Sequence, residues 1–247
     1  MRHSWALLLL LPLAGCSKLS SVLGPSGQCA GPQPYSIGST VTGTLGQNEC
    51  KGPSELSGHI YTFTLTGQTN FSVTMTPSGF EGEFGLYSSN TAVVPEQKHG
   101  GPIVARAFLP LGSYTLVAGR SKGSKGDYSL TTQPAAVDGC QSDITNWITP
   151  GANVTGVVAD ADCPAAGTGR QDIYEIVLVS SQTLTVSVAM DQAGAFALFT
   201  GSSALVVRNV AKGGSSSFTY TAPSAGSYRV HVQKDQGPPV NYTMNVR

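Results

Sequence analysis

Apolar and polar positions alternate with a period of two along most of the chain. Tyr61, Phe63 and Leu65 share one phase with His59, and Tyr174, Ile176 and Leu178 share the matching phase later on. Tyr228, Val230 and Val232 alternate with Arg229, His231 and Gln233, which predicts a strand with one buried and one wet face. Gly, Pro, Ser and Asn punctuate these runs at a spacing of roughly 8–12 residues, the rhythm of an all-β sandwich. Outside the first 14 residues no window carries a sustained helical stripe. The pattern therefore predicts antiparallel strands in two packed sheets.

The pattern is written twice. Val41-Thr-Gly43 is matched by Val154-Thr-Gly156, Cys50 by Cys163, Ile60-Tyr-Thr-Phe63 by Ile173-Tyr-Glu-Ile176, and Phe71-Ser-Val73 by Leu184-Thr-Val186. Gly112-Ser-Tyr114 is matched by Gly226-Ser-Tyr228, and Tyr128-Ser-Leu130 by Tyr242-Thr-Met244, in the same order and at a nearly constant offset. The reading is two tandem antiparallel β-sandwich units, 29–133 and 140–247. They are joined by a Pro/Ala/Gly linker at 134–139.

Composition narrows the function. Fourteen Lys and Arg balance 14 Asp and Glu, and charged residues make up only 11%. A nucleic-acid binder would carry a basic stripe, so nucleic acid is not expected as a partner. The first residues read as a secretory leader: Arg2 supplies positive charge, and Trp5 to Leu13 form an apolar core too short to span a membrane. Leu13-Ala14-Gly15-Cys16 resembles the bacterial lipobox. That resemblance implies cleavage after residue 15, acylation (a palmitate-type chain) on Cys16, and a lipid anchor on the membrane. Ser17 after the cysteine is similar to outer-membrane sorting. Residues 16–28 would then be the acylated cysteine and a flexible tether. Setting Cys16 aside leaves two cysteines per copy. An exported chain meets oxidising conditions, and among three connectivities the repeat favours Cys29–Cys50 and Cys140–Cys163.

Each copy resembles the bacterial pre-peptidase C-terminal domain. The residues that carry the resemblance are Val-Thr-Gly at 41–43 and 154–156, Asp172-Ile-Tyr174, Gly85-Leu-Tyr87 and Ala197-Leu-Phe199. The two Gly-Ser-Tyr turns complete it, with Asp127-Tyr-Ser-Leu130 and Asn241-Tyr-Thr-Met244 closing each copy. The resemblance implies a jelly-roll-like sandwich without catalysis of its own. It also implies a place beside secreted peptidases, or binding to matrix or carbohydrate. No peptidase domain accompanies it here, and His59 stands where copy two has Asp172, which argues against a shared active site.

The chemistry-bearing residues are sparse. His99 lies in a Gly-rich loop, His231 is assigned to the wet face, and no Gly-x-Ser-x-Gly elbow marks a nucleophile, so an enzyme is not expected. Asp160, Asp162 and Asp172 flank one loop and form a candidate calcium set, the one cofactor considered. Trp147 and Tyr35 precede the first full strand of their copies and are the candidate sugar-binding aromatics. The sequence thus predicts an envelope-anchored, non-catalytic binding or adhesion module for a polysaccharide or protein. The alternative is an accessory subunit of an envelope or peptidase-associated complex.

Overall fold

A computed structural model of the chain describes residues 31–46, 49–135, 145–165 and 169–247. It is all-β, and the described residues contain no α-helix. The leader, Cys16, the tether, Cys29, Cys140 and most of the linker lie outside the described residues.

Copy one comprises β1 (Gln33–Pro34), β2 (Thr40–Leu45), β3 (Cys50–Lys51), β4 (Ser57–Leu65), β5 (Thr69–Ser88), β6 (Thr91–His99), β7 (Ile103–Leu109) and β8 (Gly112–Pro134). Its two longest strands bend through both layers. The first half of β8 pairs with β4 and its second half with β2, while β5 pairs with β8 along both halves and shifts register at Ser78/Phe80 and Glu81/Gly82. Copy two comprises β9 (Asn146–Ile148), β10 (Asn153–Val158), β11 (Cys163–Pro164), β12 (Arg170–Leu178), β13 (Thr183–Met190), β14 (Gly194–Thr200), β15 (Ser203–Val210), β16 (Ser215–Thr221), β17 (Gly226–Lys234) and β18 (Val240–Val246). Here the long strands are split: β13 and β14 stand for β5, and β17 and β18 for β8. The second layer becomes a separate sheet in the order β10-β18-β13-β16.

The alternation places the core where a period of two puts it. In β12, Asp172, Tyr174, Ile176 and Leu178 are buried in a single phase, and in β13 Leu184, Val186, Val188 and Met190 are. They meet Phe196, Phe218, Tyr228, Val230 and Met244 in one apolar cluster, with Phe196 stacked on Phe218 at 5.5 Å between ring centroids. Copy one packs likewise around Phe63, Phe71, Val73, Leu86, Leu116 and Leu130.

The two copies share a sheet. β9 lies in parallel between β7 and β12: Asn146 pairs with Arg106 on one side and Tyr174 on the other. The second layer of copy one therefore continues through β9 into the first layer of copy two. Side chains cross with it. Trp147 sits in the first core, Val177 packs onto that core, and Phe108 enters the second core, edge-on to Tyr174 at 5.7 Å. The Gln68 amide clamps the Asn153 backbone, its Oε1 accepting from the N–H at 2.6 Å and its Nε2 donating to the carbonyl.

The outer face of β17 is drier than the alternation predicts. His231 is only 8% exposed, not on a wet face, because Phe199 lies over it at 4.3 Å and Gln171 Oε1 meets its Nδ1 at 2.9 Å. Copy one has a small apolar cluster on its outer layer as well, where Ile60, Tyr87 and Val117 pack with Cys50 and Leu56.

Candidate functional site

The repeat motifs form a buried hydroxyl relay in each copy. In copy two, Tyr242 Oη donates to Asp172 Oδ2 at 2.6 Å and lies 2.5 Å from Tyr174 Oη, which donates to it in turn. In copy one, Tyr128 Oη contacts His59 Nδ1 and Tyr61 Oη, each at 2.7 Å. His59 and Asp172 thus perform one task at equivalent positions: each anchors the tyrosine of the closing strand. The Val-Thr-Gly motif supplies the room. A Cβ at Gly43 would stand 2.8 Å from Tyr128 Oη, and one at Gly156 would overlap the Tyr242 ring. Burial raises Tyr61, Tyr128 and Tyr242 above the usual phenol range and lowers His59. The Gly-Ser-Tyr turns also make a repeated bond. Tyr114 Oη donates to Pro110 O at 2.9 Å, and Tyr228 Oη donates to Ser224 O at 3.0 Å.

At one end of each copy an acid meets a base beside the repeat cysteine. Arg120 donates to Gly46 O and Gly123 O and faces Glu49 at 3.9 Å; burial raises Glu49, which Arg120 partly offsets. In copy two the base is Lys234, 3% exposed, which donates to Asp160 Oδ1 at 2.7 Å and Gly237 O at 2.8 Å. The hydrogen bond from Lys234 holds Asp160 below the usual carboxylate range. Arg170 Nε donates to Asp160 O, and Asp160, Arg170, Lys234, Asp235, Gln236 and Gly237 line a cleft of about 350 Å³. This charge-balanced surface combines donors and acceptors and is the candidate binding site of the second copy. A second groove, about 460 Å³, runs from Tyr35 along Phe63–Thr69 beside the Gln68 clamp.

The acids of the candidate calcium set do not converge. Asp160 is paired with Lys234, Asp162 Oδ2 accepts the Ala159 N–H at 2.5 Å, and Asp172 is fully buried against Tyr242. Among the described residues no group of three or more His, Cys, Asp or Glu is placed to hold a metal ion. The candidate aromatics are corrected too. Trp147 is 4% and Tyr35 7% exposed, so neither ring stands out as a platform for a sugar, and Tyr35 reaches only the wall of the second groove. Both belong to the first core: Tyr35 sits edge-on to Tyr61 and donates to Ser39 O at 2.8 Å, and Trp147 is covered because its side chain leaves the face of the shared sheet into that apolar cluster. Cys50 is buried and Cys163 half-buried at equivalent positions, and neither is a free thiol. Their expected partners Cys29 and Cys140, and Cys16, lie outside the described residues. Lys234, Arg170 and Gln68, which build the clefts and the clamp, were not marked by any sequence motif.

No family model and no curated protein matches the chain. Among solved structures it is similar to the pre-peptidase C-terminal domain of a collagenase from Bacillus anthracis, at 18% identity and a TM-score of 0.35, over 42% of this chain and 95% of that one. A CBM22 tandem from Paenibacillus barcinonensis Xyn10C matches at 8% identity and a TM-score of 0.24, over 84% of this chain and 91% of that one. An M60 catalytic domain with two CBM51 domains from Clostridium perfringens matches at 7% identity and a TM-score of 0.24, over 78% of this chain and 34% of that one.

Proposed function

We propose that the chain is a non-catalytic binding or adhesion module of the bacterial envelope, anchored through acylated Cys16 on the outer membrane and stapled by Cys29–Cys50 and Cys140–Cys163. One observation carries the binding reading: the recessed cleft of Asp160, Arg170, Lys234, Asp235 and Gln236, set at the end of copy two. Carboxylates that accept and a guanidinium that donates suit the vicinal hydroxyls of a polysaccharide. His59, His231 and Asp172 each hold a hydrogen bond inside the fold, to Tyr128, Gln171 and Tyr242, which gives them a structural part in this reading. The second reading, an accessory subunit with a protein partner, is favoured by Leu205 and Val207, which stand exposed on the terminal strand β15.

The test is a screen of the oxidised protein against insoluble polysaccharides, peptidoglycan and collagen, with and without calcium. Saturable binding to one polymer that falls at least tenfold in Arg170→Ala supports the cleft; silence across the panel sinks the polymer reading. Fractionation of Cys16→Ser tests the anchor: the protein should leave the membrane fraction, and retention there overturns acylation at Cys16.

A further inference from the structure

The interface between the two copies has two halves, and each half recurs at an end of the molecule with no further strand on it among the described residues. One half is β9 on the edge of β12. Its counterpart is β1 on the edge of β4, in identical register: Gln33 pairs with Tyr61 as Asn146 pairs with Tyr174. The other half is β7, which pairs with β5 on one side and β9 on the other. Its counterpart is β16, which pairs with β13 and ends its sheet. Phe71 faces Ala107 as Leu184 faces Tyr220, so Arg106, Ala107 and Phe108 correspond to Thr219, Tyr220 and Thr221.

The two free edges are not alike. Arg106 N–H donates to Thr145 O, so residues 145 and 147 direct their backbone groups toward β7. In copy one, Tyr35 N–H donates to Thr62 O, so Pro32 and Pro34 are the residues that face outward. Pro34 stands where Trp147 stands and has no N–H to give, and proline on an edge strand blocks strand addition. The β16 edge carries no such block. Thr185, opposite Thr219, donates its N–H to Arg247 O on the far side of β13, so Thr219 turns its own N–H away from β13, toward the edge on which no further strand lies among the described residues. The neighbouring surface is apolar and bare. Val93 is 3% exposed on β6, the strand of copy one that lies against copy two, whereas its counterpart Leu205 is 36% exposed and Val207 53%.

We propose that the β16 edge is a strand-addition site that accepts, in parallel register, an extended segment of a partner protein carrying a bulky apolar residue. The internal precedent is Asn146-Trp147-Ile148 on β7. Threaded in the same register, the segment's central residue sits opposite Tyr220 at the rim of the second core, as Trp147 sits opposite Ala107. The occupant is not a second copy of this chain, because the matching edge of copy one presents Pro34 for Trp147 and exposed Thr64 for Val177. This deepens the binding-module reading and rests on it, and the two can fail separately: polymer capture through the Arg170 cleft does not involve β16.

The test uses the full chain and a fluorescein-labelled peptide of residues 145–150 as probe, read by anisotropy and by amide hydrogen exchange across Ser215–Thr221. Expected are saturable binding, slowed exchange in β16, and a loss of about tenfold when the peptide's Trp becomes Pro, the size of one backbone hydrogen bond plus its packing. Thr219→Pro in the protein should weaken binding similarly. The peptide variant decides the matter where that protein variant does not fold. Absence of saturation, exchange slowed elsewhere but not in β16, or equal binding of the Pro peptide overturns the proposal. So does concentration-dependent self-association of the chain through β16, which would make the occupant a second copy.

Discussion

Replacing Trp147 by Ala separates a junction residue from a ligand platform. The side chain is 4% exposed in the first core, carried by a strand that belongs to the second copy. Truncating a buried Trp to Ala costs about 3–5 kcal/mol in transfer and cavity terms. Part of this is returned, since Trp147 Nε1 is buried with no hydrogen-bond partner among the described residues, and removing an unsatisfied donor relieves about 1 kcal/mol. The net expectation is a loss of about 2–4 kcal/mol, or roughly 5–15 °C in Tm for a chain of this size. The assay is urea unfolding of the oxidised protein followed by far-UV circular dichroism. Trp147→Phe is the control: it keeps the packing and removes the orphan N–H, so its loss should stay under about 1 kcal/mol. A Trp147→Ala variant that loses under 1 kcal/mol, yet no longer binds a polymer held by the wild type, would refute the junction assignment and restore the ring as a ligand platform.

Three further expectations follow from the same geometry. Burial, with a smaller contribution from Arg229, pushes His231 down to about 4 from an ordinary value near 6.5, so the unfolded chain takes up the proton first. Stability from this group is intact above pH 6.5 and falls away between pH 6.5 and 4, by about 3 kcal/mol in all, and His231→Gln should flatten that part of the stability–pH curve; an unchanged slope would contradict it. Gly156→Ala drives a methyl group into the Tyr242 ring and should cost about 1–3 kcal/mol in chemical denaturation, whereas Gly46→Ala, whose nearest neighbour is Lys125 Cγ at 3.9 Å, should be neutral. Tyr228→Phe removes the bond to Ser224 O and should lower stability by about 1 kcal/mol by the same measurement, with no change in fold by circular dichroism.

What could be read from the sequence was what repeats locally. The phase of Tyr174, Ile176 and Leu178 places the core because a strand buries every second residue whatever its neighbours are. His231 was misplaced by the same rule. Period two assigns a face, but only the tertiary position of Phe199 decides whether that face meets water. Trp147 failed for a related reason, as nothing local reveals that a three-residue strand joins the two copies and carries its side chain into the core of the first. The relay was hidden by chemistry. His59 and Asp172 align but look unlike, and only the two tyrosine hydroxyls show that each is a hydrogen-bonding anchor for the closing strand. The acids around Asp160 were legible as a cluster, yet their partner Lys234 lies far along the chain, so their pairing could not be read from spacing.

Duplication alone would have made two equal units with equal edges. The differences between the copies fall where they control how sheets join. The edge that must pair carries Trp147 with its N–H, and the edge that must not pair carries Pro34 without one. Gln68 holds the Asn153 backbone across the junction, so the covered face of copy one is fixed by hydrogen bonds as well as by Phe108 and Val177. The two repeat-related edges therefore differ: β1, at the end of the shared sheet, is closed by proline, whereas β16, at the end of the separate sheet of copy two, pairs with no further strand among the described residues. Edge strands are a liability when exposed, and the chain blunts one of its repeat-related edges while the other, with Leu205 and Val207 beside it, carries no such block and no further strand among the described residues. A duplicated protein that needed only solubility would have gained by blunting both.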